Sequence, residues 1–520
     1  MMKRESQIKA LESFEGEFDV IVIGGGASGL GVAVDSSNRG FKTLLIEKSD
    51  FGKGTSSRST KLVHGGVRYL QNGDIKLVLE ALRERGYLLR NAPQLVKKQA
   101  FVIPVYRLWE KYFYGIGLFL YDFLAGKLGF GKTQLLSSQE TIRCLPNLKT
   151  ENLKGGILYY DGQFDDAGLA ISLAKTAIHQ GAILLNYNEL IDFVKEEEKI
   201  VGIRFRDVLT GQKKSVKGKA VVNATGVFSD QIIQIDQPDA QQSIRPSQGV
   251  HLVFDSFFLK SATALMVPKT TDGRVLFAVP WMNSLVVGTT DMPIEKTEEE
   301  PKATNREIDF ILENAANYLE KAPSKQDIKS VFVGLRPLAA SGNGDRKTKE
   351  VSRSHKITRT KSGLFNLLGG KWTTYRQMAE DLVDRVGMDM EGKKRPCQTK
   401  KLKLWGYSTH HLFGDIALSR YGSDLENMEH ASNDSNGNNI LCEGLELSKN
   451  QILWSIREEM AVTLEDILAR RSRCLFLDAK KSVEIAEEVT KIMAEEMDKD
   501  EDWMALQLSN FKSIAKNYQL

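Results

Sequence analysis

The chain has 520 residues, of which 42% are hydrophobic and 27% charged, with a formal net charge of +4. This length predicts two or three domains with a large buried core, and the small net charge argues against nucleic acid as a partner. The four cysteines form no C-x-x-C pair and the histidines have no metal-ligand spacing. The sequence therefore predicts a reducing compartment and no metal site.

Residues 1–17 are charged and lack the apolar segment of a secretory signal. Elsewhere the chain contains no apolar run of about 18 residues, the length that a membrane-spanning helix needs. We therefore expect neither a secretory signal nor a transmembrane helix.

An apolar run at residues 20–23 predicts a buried parallel strand, which a glycine-rich turn connects to a helix at 27–39. Gly24, Gly26 and Gly29 have the spacing G-x-G-x-x-G. The first permits a tight turn, the second lets the backbone approach a pyrophosphate, and the third lets the helix pack closely on the strand. The free N–H groups at the start of the helix would then face an anion.

A second apolar strand is predicted at residues 43–46 and ends at Glu47, which lies 18 residues after Gly29. An acidic residue at this place can bind the hydroxyls of an adenosine ribose. Strand, glycine turn, helix, strand and acid, in this order, predict a dinucleotide site, but they do not distinguish FAD from NAD.

Residues 48–61 are polar and rich in glycine and hydroxyl side chains, and they contain Thr55, Ser56, Ser57 and Lys61. This segment is either an exposed loop or a loop along a cofactor, where hydroxyls and N–H groups meet phosphate. The following segment at 62–70 has a Gly-Gly pair flanked by histidine, arginine and tyrosine, which would let a flat ring approach the backbone.

Residues 74–92 predict an amphipathic helix with Arg83, Glu84 and Arg85 on its polar side. The segment at 101–132 combines many aromatic residues with basic ones. It is either a membrane-interfacial segment or a helical hairpin that packs on the core.

The remaining elements predict a return to the first domain after an insertion. A strand at 219–226 ends in a small-residue turn, short strands at 244–335 predict a mostly antiparallel sheet, and residues 363–370 return to the dinucleotide domain. Residues 391–403 are interpreted as a linker, and residues 404–520 as mainly helical, with a long helix at 479–496.

Several of these segments resemble motifs of the FAD-dependent glycerol-3-phosphate dehydrogenase family, of the aerobic, quinone-linked type. The resemblance covers about residues 18–385, and its motifs lie at 55–57, 61–70, 249–251, 279–281, 288–291, 334–338 and 369–376. It implies an α/β fold: a FAD-binding Rossmann-like (glutathione-reductase-like) domain, an inserted antiparallel β-sheet substrate domain and a C-terminal helical domain. The expected boundaries are 16–80, 155–240 and 336–392 for the FAD-binding domain, 81–154 and 241–335 for the substrate-binding cap region, and 404–520 for the helical domain.

The resemblance also implies a reaction: oxidation of sn-glycerol 3-phosphate to dihydroxyacetone phosphate, with hydride transfer from C2 to FAD and electrons passed to a membrane quinone. We expect peripheral attachment to the inner face of the cytoplasmic membrane and a possible homodimer. Two alternatives remain open: an oxidase that reduces dioxygen to peroxide, and a flavin-binding module without catalysis.

The site residues combine these motifs with the glycine turn, Glu47, the small-residue turn at 224–226, and Arg274 and Arg353, which lie outside the motifs. Arginine suits phosphate because its planar donors bind it in a bidentate way, and histidine suits proton transfer because its pKa lies near neutrality. The candidate catalytic residues are His251, Arg336 and Lys371. For His251 the alternative is a structural role. The candidate substrate-binding residues are Arg68, Tyr69, Arg274, Arg336, Arg353 and Lys371. The candidate cofactor-binding residues are Gly24, Gly26, Ser28, Gly29, Glu47, Thr55, Ser56, Ser57, Lys61, His64, Gly66, Ala224, Gly226, Gly369, Gly370 and Thr373.

Overall fold

A computed structural model describes residues 2–66, 74–340, 355–409, 416–432 and 434–520. Three candidate substrate-binding residues, Arg68, Tyr69 and Arg353, lie outside these ranges.

The strands of the described residues are β1 (Phe18–Ile23), β2 (Thr43–Ile46), β3 (Leu62–Val63), β4 (Val96–Val105), β5 (Gln134–Leu136), β6 (Gly155–Phe164), β7 (Ile183–Leu185), β8 (Asn188–Glu196), β9 (Lys199–Asp207), β10 (Lys213–Asn223), β11 (Ile244–Asp255), β12 (Ala264–Val267), β13 (Leu276–Trp281), β14 (Ser284–Gly288), β15 (Met292–Pro293), β16 (Ser330–Ala339), β17 (His355–Arg359), β18 (Phe365–Gly369), β19 (Ile440–Cys442) and β20 (Leu445–Ser448).

The α-helices are α1 (Arg4–Glu12), α2 (Ala27–Asn38), α3 (Ile75–Asn91), α4 (Leu108–Ala125), α5 (Ser138–Cys144), α6 (Asp166–His179), α7 (Ser229–Asp236), α8 (Asn305–Ala316), α9 (Tyr375–Glu391), α10 (Ile416–Ser419), α11 (Leu425–Glu429), α12 (Lys449–Glu458), α13 (Cys474–Leu477), α14 (Ala479–Glu484), α15 (Ala486–Met497) and α16 (Glu501–Ala515). A π-helical turn spans Asp466–Arg471.

The first sheet is built around β1, which pairs in parallel with β2 and β10, while β7 and β18 extend it. Val20 and Val22 point into the core beneath α2, α6 and α9, and Ile21 and Ile23 point into a second core that includes β8 and β9. Both faces of β1 are therefore covered, which explains its continuous apolar run. The predicted strand, turn, helix and second strand of the first motif are confirmed.

The second sheet is mostly antiparallel and has β11 near one edge, between β14 and β16. It also contains β3 and β6, so residues 155–164 lie in this sheet although the expected boundary at 155 assigned them to the first domain. The antiparallel sheet expected at 244–335 is confirmed, and its strands continue to residue 339.

The C-terminal part is mainly helical, as expected, and packs its apolar side chains on Trp281 and Phe332 of the second sheet. The predicted helix at 479–496 is two helices, α14 and α15, that meet at Ile485. A short hairpin, β19–β20, was not predicted.

The prediction of a polar side for α3 was wrong for two of its three residues. Glu84 is 4% exposed and binds the guanidinium of Arg376, and Arg85 is 1% exposed and binds the carboxylate of Asp161. Burial of these charges is tolerated because each has an oppositely charged partner.

Candidate active site

The glycines after β1 are required by close backbone contacts. Gly24 has φ +109°, and a Cβ there would lie 2.8 Å from the Ala224 carbonyl oxygen. A Cβ on Gly29 would lie 1.8 Å from the carbonyl oxygen of Gly24. At Gly26 the nearest atom to an added Cβ is the Ser56 hydroxyl oxygen, at 3.0 Å, so a side chain, not the backbone, limits the space at this position.

A cleft runs from this turn to the end of β18, and most candidate cofactor residues line it. They are Gly24, Gly26, Ser28, Glu47, Thr55, Ser56, Ala224, Gly226, Gly369 and Gly370. Lys371, a candidate substrate residue, lines it as well. The start of α2 opens into this cleft, where the Ala27 N–H donates to the Ser56 hydroxyl at 2.9 Å. The positive end of the helix dipole makes this the place for an anionic pyrophosphate.

Glu47 is held in place by two backbone N–H groups. The Gly25 N–H donates to Oε2 at 2.6 Å and the Ser49 N–H donates to Oε1 at 2.8 Å. Burial raises the pKa of the Glu47 carboxyl group above its ordinary value, although both backbone hydrogen bonds oppose that shift. The carboxyl group thus has a fixed orientation at the cleft.

Lys61 lies in the interior and does not line the cleft. Its ammonium group donates to both carboxylate oxygens of Asp166, at 3.0 and 2.8 Å, and to the carbonyl oxygen of Ser57 at 2.7 Å. Burial, and then the nearby Arg473, lower the pKa of Lys61 to about 7, although Asp166 opposes the shift. Ser57, 1% exposed, contributes this carbonyl group to the interior.

The remaining cofactor candidates meet between the two sheets. The His64 N–H donates to the Thr373 hydroxyl at 3.3 Å, and the His64 ring lies 6.5 Å from the Phe277 ring. Gly66 adopts φ +75°, a left-handed conformation that favours glycine. The chain before α9 therefore contacts the segment that carries the Gly-Gly pair.

His251 lies on β11 and is 3% exposed. Its ring stacks on Phe332 at 4.7 Å, and its Nε2 atom lies 2.9 Å from the Thr60 hydroxyl oxygen. Burial lowers the pKa of His251 well below 6.5, and the positive charges of Arg336 and Lys61 add to this effect. The imidazole is therefore neutral near pH 7, the form that accepts a proton.

Arg336 lies on β16, on the same face of the sheet as His251, because Ser247 and His251 of β11 pair with Arg336 and Phe332. Its guanidinium is partly exposed, donates to the Thr290 carbonyl at 2.9 Å, and has Asp291 Oδ1 at 3.4 Å. The carboxylate of Asp291 thus supplies part of the negative charge that was expected from a substrate phosphate.

The neighbouring strand residues connect Arg336 to the cofactor cleft. The Thr55 hydroxyl donates to the Leu335 carbonyl at 2.6 Å, and Pro337 lines the cleft together with Lys371. Thr55, Pro337 and Lys371 therefore lie at the cleft, whereas Arg336 and His251 share a face of the second sheet and are not among the residues that line the cleft. Arg274 is instead paired with Asp272 within its own turn.

Three buried arginines of the C-terminal part belong to this region and were missed from the sequence. Arg470 and Arg471 bind the carboxylate of Asp50, at 2.5 and 2.7 Å, and Arg473 binds Asp166 at 2.6 Å. Pairs so distant along the chain leave no local pattern, so only the structure could find them.

These residues fit a dinucleotide cofactor. The turn around Gly24 and Gly29 has no room for side chains, the start of α2 brings the positive end of its dipole to the cleft, and the Glu47 carboxyl group is held at the cleft by backbone N–H groups. Within the described residues no cluster of possible metal ligands is found, and no helix is both long and apolar enough to cross a membrane.

Comparisons with known proteins identify the family. Residues 19–378 match the family model of FAD dependent oxidoreductases, and residues 361–503 match the C-terminal domain of alpha-glycerophosphate oxidase. The mitochondrial glycerol-3-phosphate dehydrogenase of Saccharomyces cerevisiae is 34% identical, over 95% of this chain and 89% of that protein. The human mitochondrial glycerol-3-phosphate dehydrogenase is 36% identical, over 96% of this chain and 73% of that protein.

Solved structures agree. The glycerol-3-phosphate dehydrogenase from Bacillus halodurans, complexed with FAD, superimposes with a TM-score of 0.81 at 29% identity and covers 100% of this chain and 98% of that one. The L-alpha-glycerophosphate oxidase from Mycoplasma pneumoniae, at 16% identity and a TM-score of 0.58 over 74% of this chain and 98% of that one, shares the fold. Fold, cofactor cleft and sequence similarity together show that this chain is a flavoenzyme of the FAD-dependent glycerol-3-phosphate dehydrogenase family.

Proposed function

We propose that this protein oxidises sn-glycerol 3-phosphate to dihydroxyacetone phosphate and passes the electrons to a membrane quinone. One observation carries the proposal: a neutral histidine and a partly exposed arginine share one face of the second sheet, and Pro337, which follows that arginine on β16, lines the cofactor cleft. A secondary alcohol with a phosphate group needs one residue that takes a proton and others that bind a dianion.

The proposed reaction divides the work among the residues of the site. Arg336 and Lys371 bind the phosphate and orient C2. Further candidates are Arg68 and Tyr69 from a family motif, and Arg274 and Arg353, which lie outside the motifs. His251 accepts the proton of the C2 hydroxyl, for which burial keeps its imidazole neutral. FAD, when bound, supplies the acceptor for the hydride that leaves C2. Gly24, Gly26, Ser56 and Glu47 hold that cofactor.

Anaerobic addition of substrate tests the reaction directly. The purified yellow protein should lose its visible flavin absorbance with sn-glycerol 3-phosphate and keep it with glycerol, which lacks the phosphate. A protein that stays yellow with both would contradict the proposal and support a binding module without catalysis. Reoxidation then distinguishes the acceptors, because a soluble quinone analogue should restore the colour much faster than dioxygen, and rapid formation of peroxide would identify an oxidase.

The membrane part of the proposal rests on α4. This helix exposes a row of large apolar side chains, with exposed fractions from 43% to 81%: Leu108, Trp109, Tyr112, Phe113, Ile116, Phe119, Leu120 and Phe123. Apolar and aromatic side chains with nearby basic residues are typical of helices that lie in a membrane interface. Among the basic residues are Arg107, Lys127 and Lys132, each of which adds about 1 kcal/mol near an anionic surface.

Vesicle flotation tests the role of α4. The wild-type protein should float with vesicles that contain anionic lipid, and Ile116→Glu and Phe123→Glu should weaken this binding, because each inserts a charge into the apolar face. Leu506→Glu on α16 is the matched control, since Leu506 is 56% exposed on a different helix. Failure of the wild-type protein to float, or equal loss in the control, would contradict interfacial attachment through α4.

A further inference from the structure

The orientation of His251 depends on few contacts. Phe332 stacks on one face of its ring with an interplanar angle of 12°, and Phe476 of the C-terminal part packs against Phe332 at 5.1 Å. Stacking fixes the plane of an imidazole but not its rotation within that plane. Within the described residues, Nδ1 has no hydrogen-bond partner, so the Thr60 hydroxyl on Nε2 is the polar contact that fixes this rotation.

The backbone on both sides of Thr60 is anchored to one buried carboxylate. The Ser59 N–H and hydroxyl donate to Asp166 Oδ2 at 3.1 and 2.7 Å, and Lys61 binds the same carboxylate. Lys61 also has φ +63°, a left-handed conformation that non-glycine residues adopt only when surrounding contacts enforce it. These contacts leave the turn at 59–61 little freedom.

The carboxylate at the centre of this anchor is itself neutralised from two sides. Asp166 is fully buried, and Arg473 donates to its Oδ1 at 2.6 Å while Lys61 occupies the other side. Burial alone would raise the pKa of Asp166, but the two cations outweigh it and hold the pKa below its ordinary value. Asp166 therefore remains an acceptor for Ser59, and the C-terminal part contributes to the rigidity of this turn.

We propose that Thr60 is a positioning residue for His251: its hydroxyl group fixes the rotation of the imidazole that takes the substrate proton. The turn held by Asp166 presents this hydroxyl to Nε2. A hydroxyl group can donate to or accept from Nε2, so it can hold the ring in place in either tautomer. The inference rests on the proposed function, because it assigns a role within the same proton transfer.

Two matched substitutions separate the hydroxyl group from the rest of the side chain. Thr60→Val keeps the shape and removes the hydroxyl, whereas Thr60→Ser keeps the hydroxyl and removes the methyl group. With the FAD-loaded protein under anaerobic conditions, stopped-flow measurement gives the limiting rate of flavin reduction and the half-saturating concentration of sn-glycerol 3-phosphate. We expect Thr60→Val to lower the limiting rate about tenfold or more with unchanged half-saturation, and Thr60→Ser to stay within about twofold of the wild type.

A double-substitution cycle with His251→Asn shows whether Thr60 acts through the imidazole. In that background Thr60→Val should cause no further slowing, because groups that act as a unit are not additive. A further tenfold loss there, equal losses in the Val and Ser variants, or a Val variant as fast as the wild type would overturn the proposal. A Val variant purified without flavin, where the Ser variant retains it, would also overturn it and place the hydroxyl at the cofactor. The proposed function is judged separately, by whether the substrate reduces the wild-type protein.

Discussion

Replacement of Arg336 by alanine tests whether its guanidinium binds the substrate phosphate. The carboxylate of Asp291 lies 3.4 Å from Nη1, farther than the 2.7–2.9 Å or so of a strong charge-assisted hydrogen bond. The phosphate of the proposed substrate would be a second anion for this guanidinium. Hydrogen bonds to charged groups contribute about 1.5–3 kcal/mol each, so loss of one or two of them should lower kcat/KM for sn-glycerol 3-phosphate on the order of 10²-fold.

The assay compares two substrates and one control variant. Glycerol lacks the phosphate, so its poor turnover should be nearly the same in Arg336→Ala as in the wild type, with flavin content unchanged. Arg204→Ala is the control, because Arg204 on β9 forms an exposed ion pair with Asp192 on β8. This substitution should leave both activities unaffected. Equal losses of activity on both substrates would refute the phosphate assignment and give Arg336 a role in the fold or at the flavin.

Three further predictions concern the cofactor turn, the proton acceptor and the C-terminal part. Gly29→Ala places a Cβ 1.8 Å from a backbone carbonyl oxygen and should lower the free energy of unfolding by about 3 kcal/mol or more. Gly26→Ala, whose Cβ meets a hydroxyl group at 3.0 Å, should fold but bind less flavin. The reverse pattern would contradict the assigned roles. Because burial and two neighbouring cations lower the pKa of His251, its proton-accepting form persists below pH 6.5, so the acid limb of the flavin-reduction rate should lie below that pH, and a limb above it would argue against His251 as the acceptor. Arg471→Met removes one partner of buried Asp50 and should cost about 3–5 kcal/mol in thermal denaturation, and an unchanged Tm would show that the pair adds nothing.

The parts of the molecule that could be predicted from the sequence are those with short-range causes. The strand, the glycine turn and α2 are encoded within about 20 residues by an apolar run and a glycine spacing, and the contact that requires Gly29, with the Gly24 carbonyl, lies inside that unit. The burial of Glu84 could not be predicted, since its partner Arg376 lies 292 residues away along the chain. A charged residue beside an apolar stripe is ordinarily solvated, and only the tertiary contact reverses that expectation.

The same limit applies to the candidate site. His251 and Arg336 were found through motifs shared with a family, and the structure shows them on one sheet face because β11 and β16 pair in register. Lys61 was expected at the cofactor, but its donors are taken by Asp166 and Ser57. No spacing within residues 48–61 distinguishes a lysine that faces a phosphate from one that faces a buried acid.

The long separation between Asp50 and its arginines has a consequence for synthesis of the chain. Asp50 closely follows Glu47 of the cofactor cleft, yet Arg470 lies 420 residues later, so the carboxylate stays without these partners until the C-terminal part has been made. At about 5–20 residues per second, translation of that interval takes roughly 20–80 s. During this time the cofactor loop carries an acid that its final environment will bury. We therefore expect ribosome-bound chains to acquire stable flavin only near the end of translation, and chains that stop before residue 470 to depend on chaperones and to be degraded rapidly.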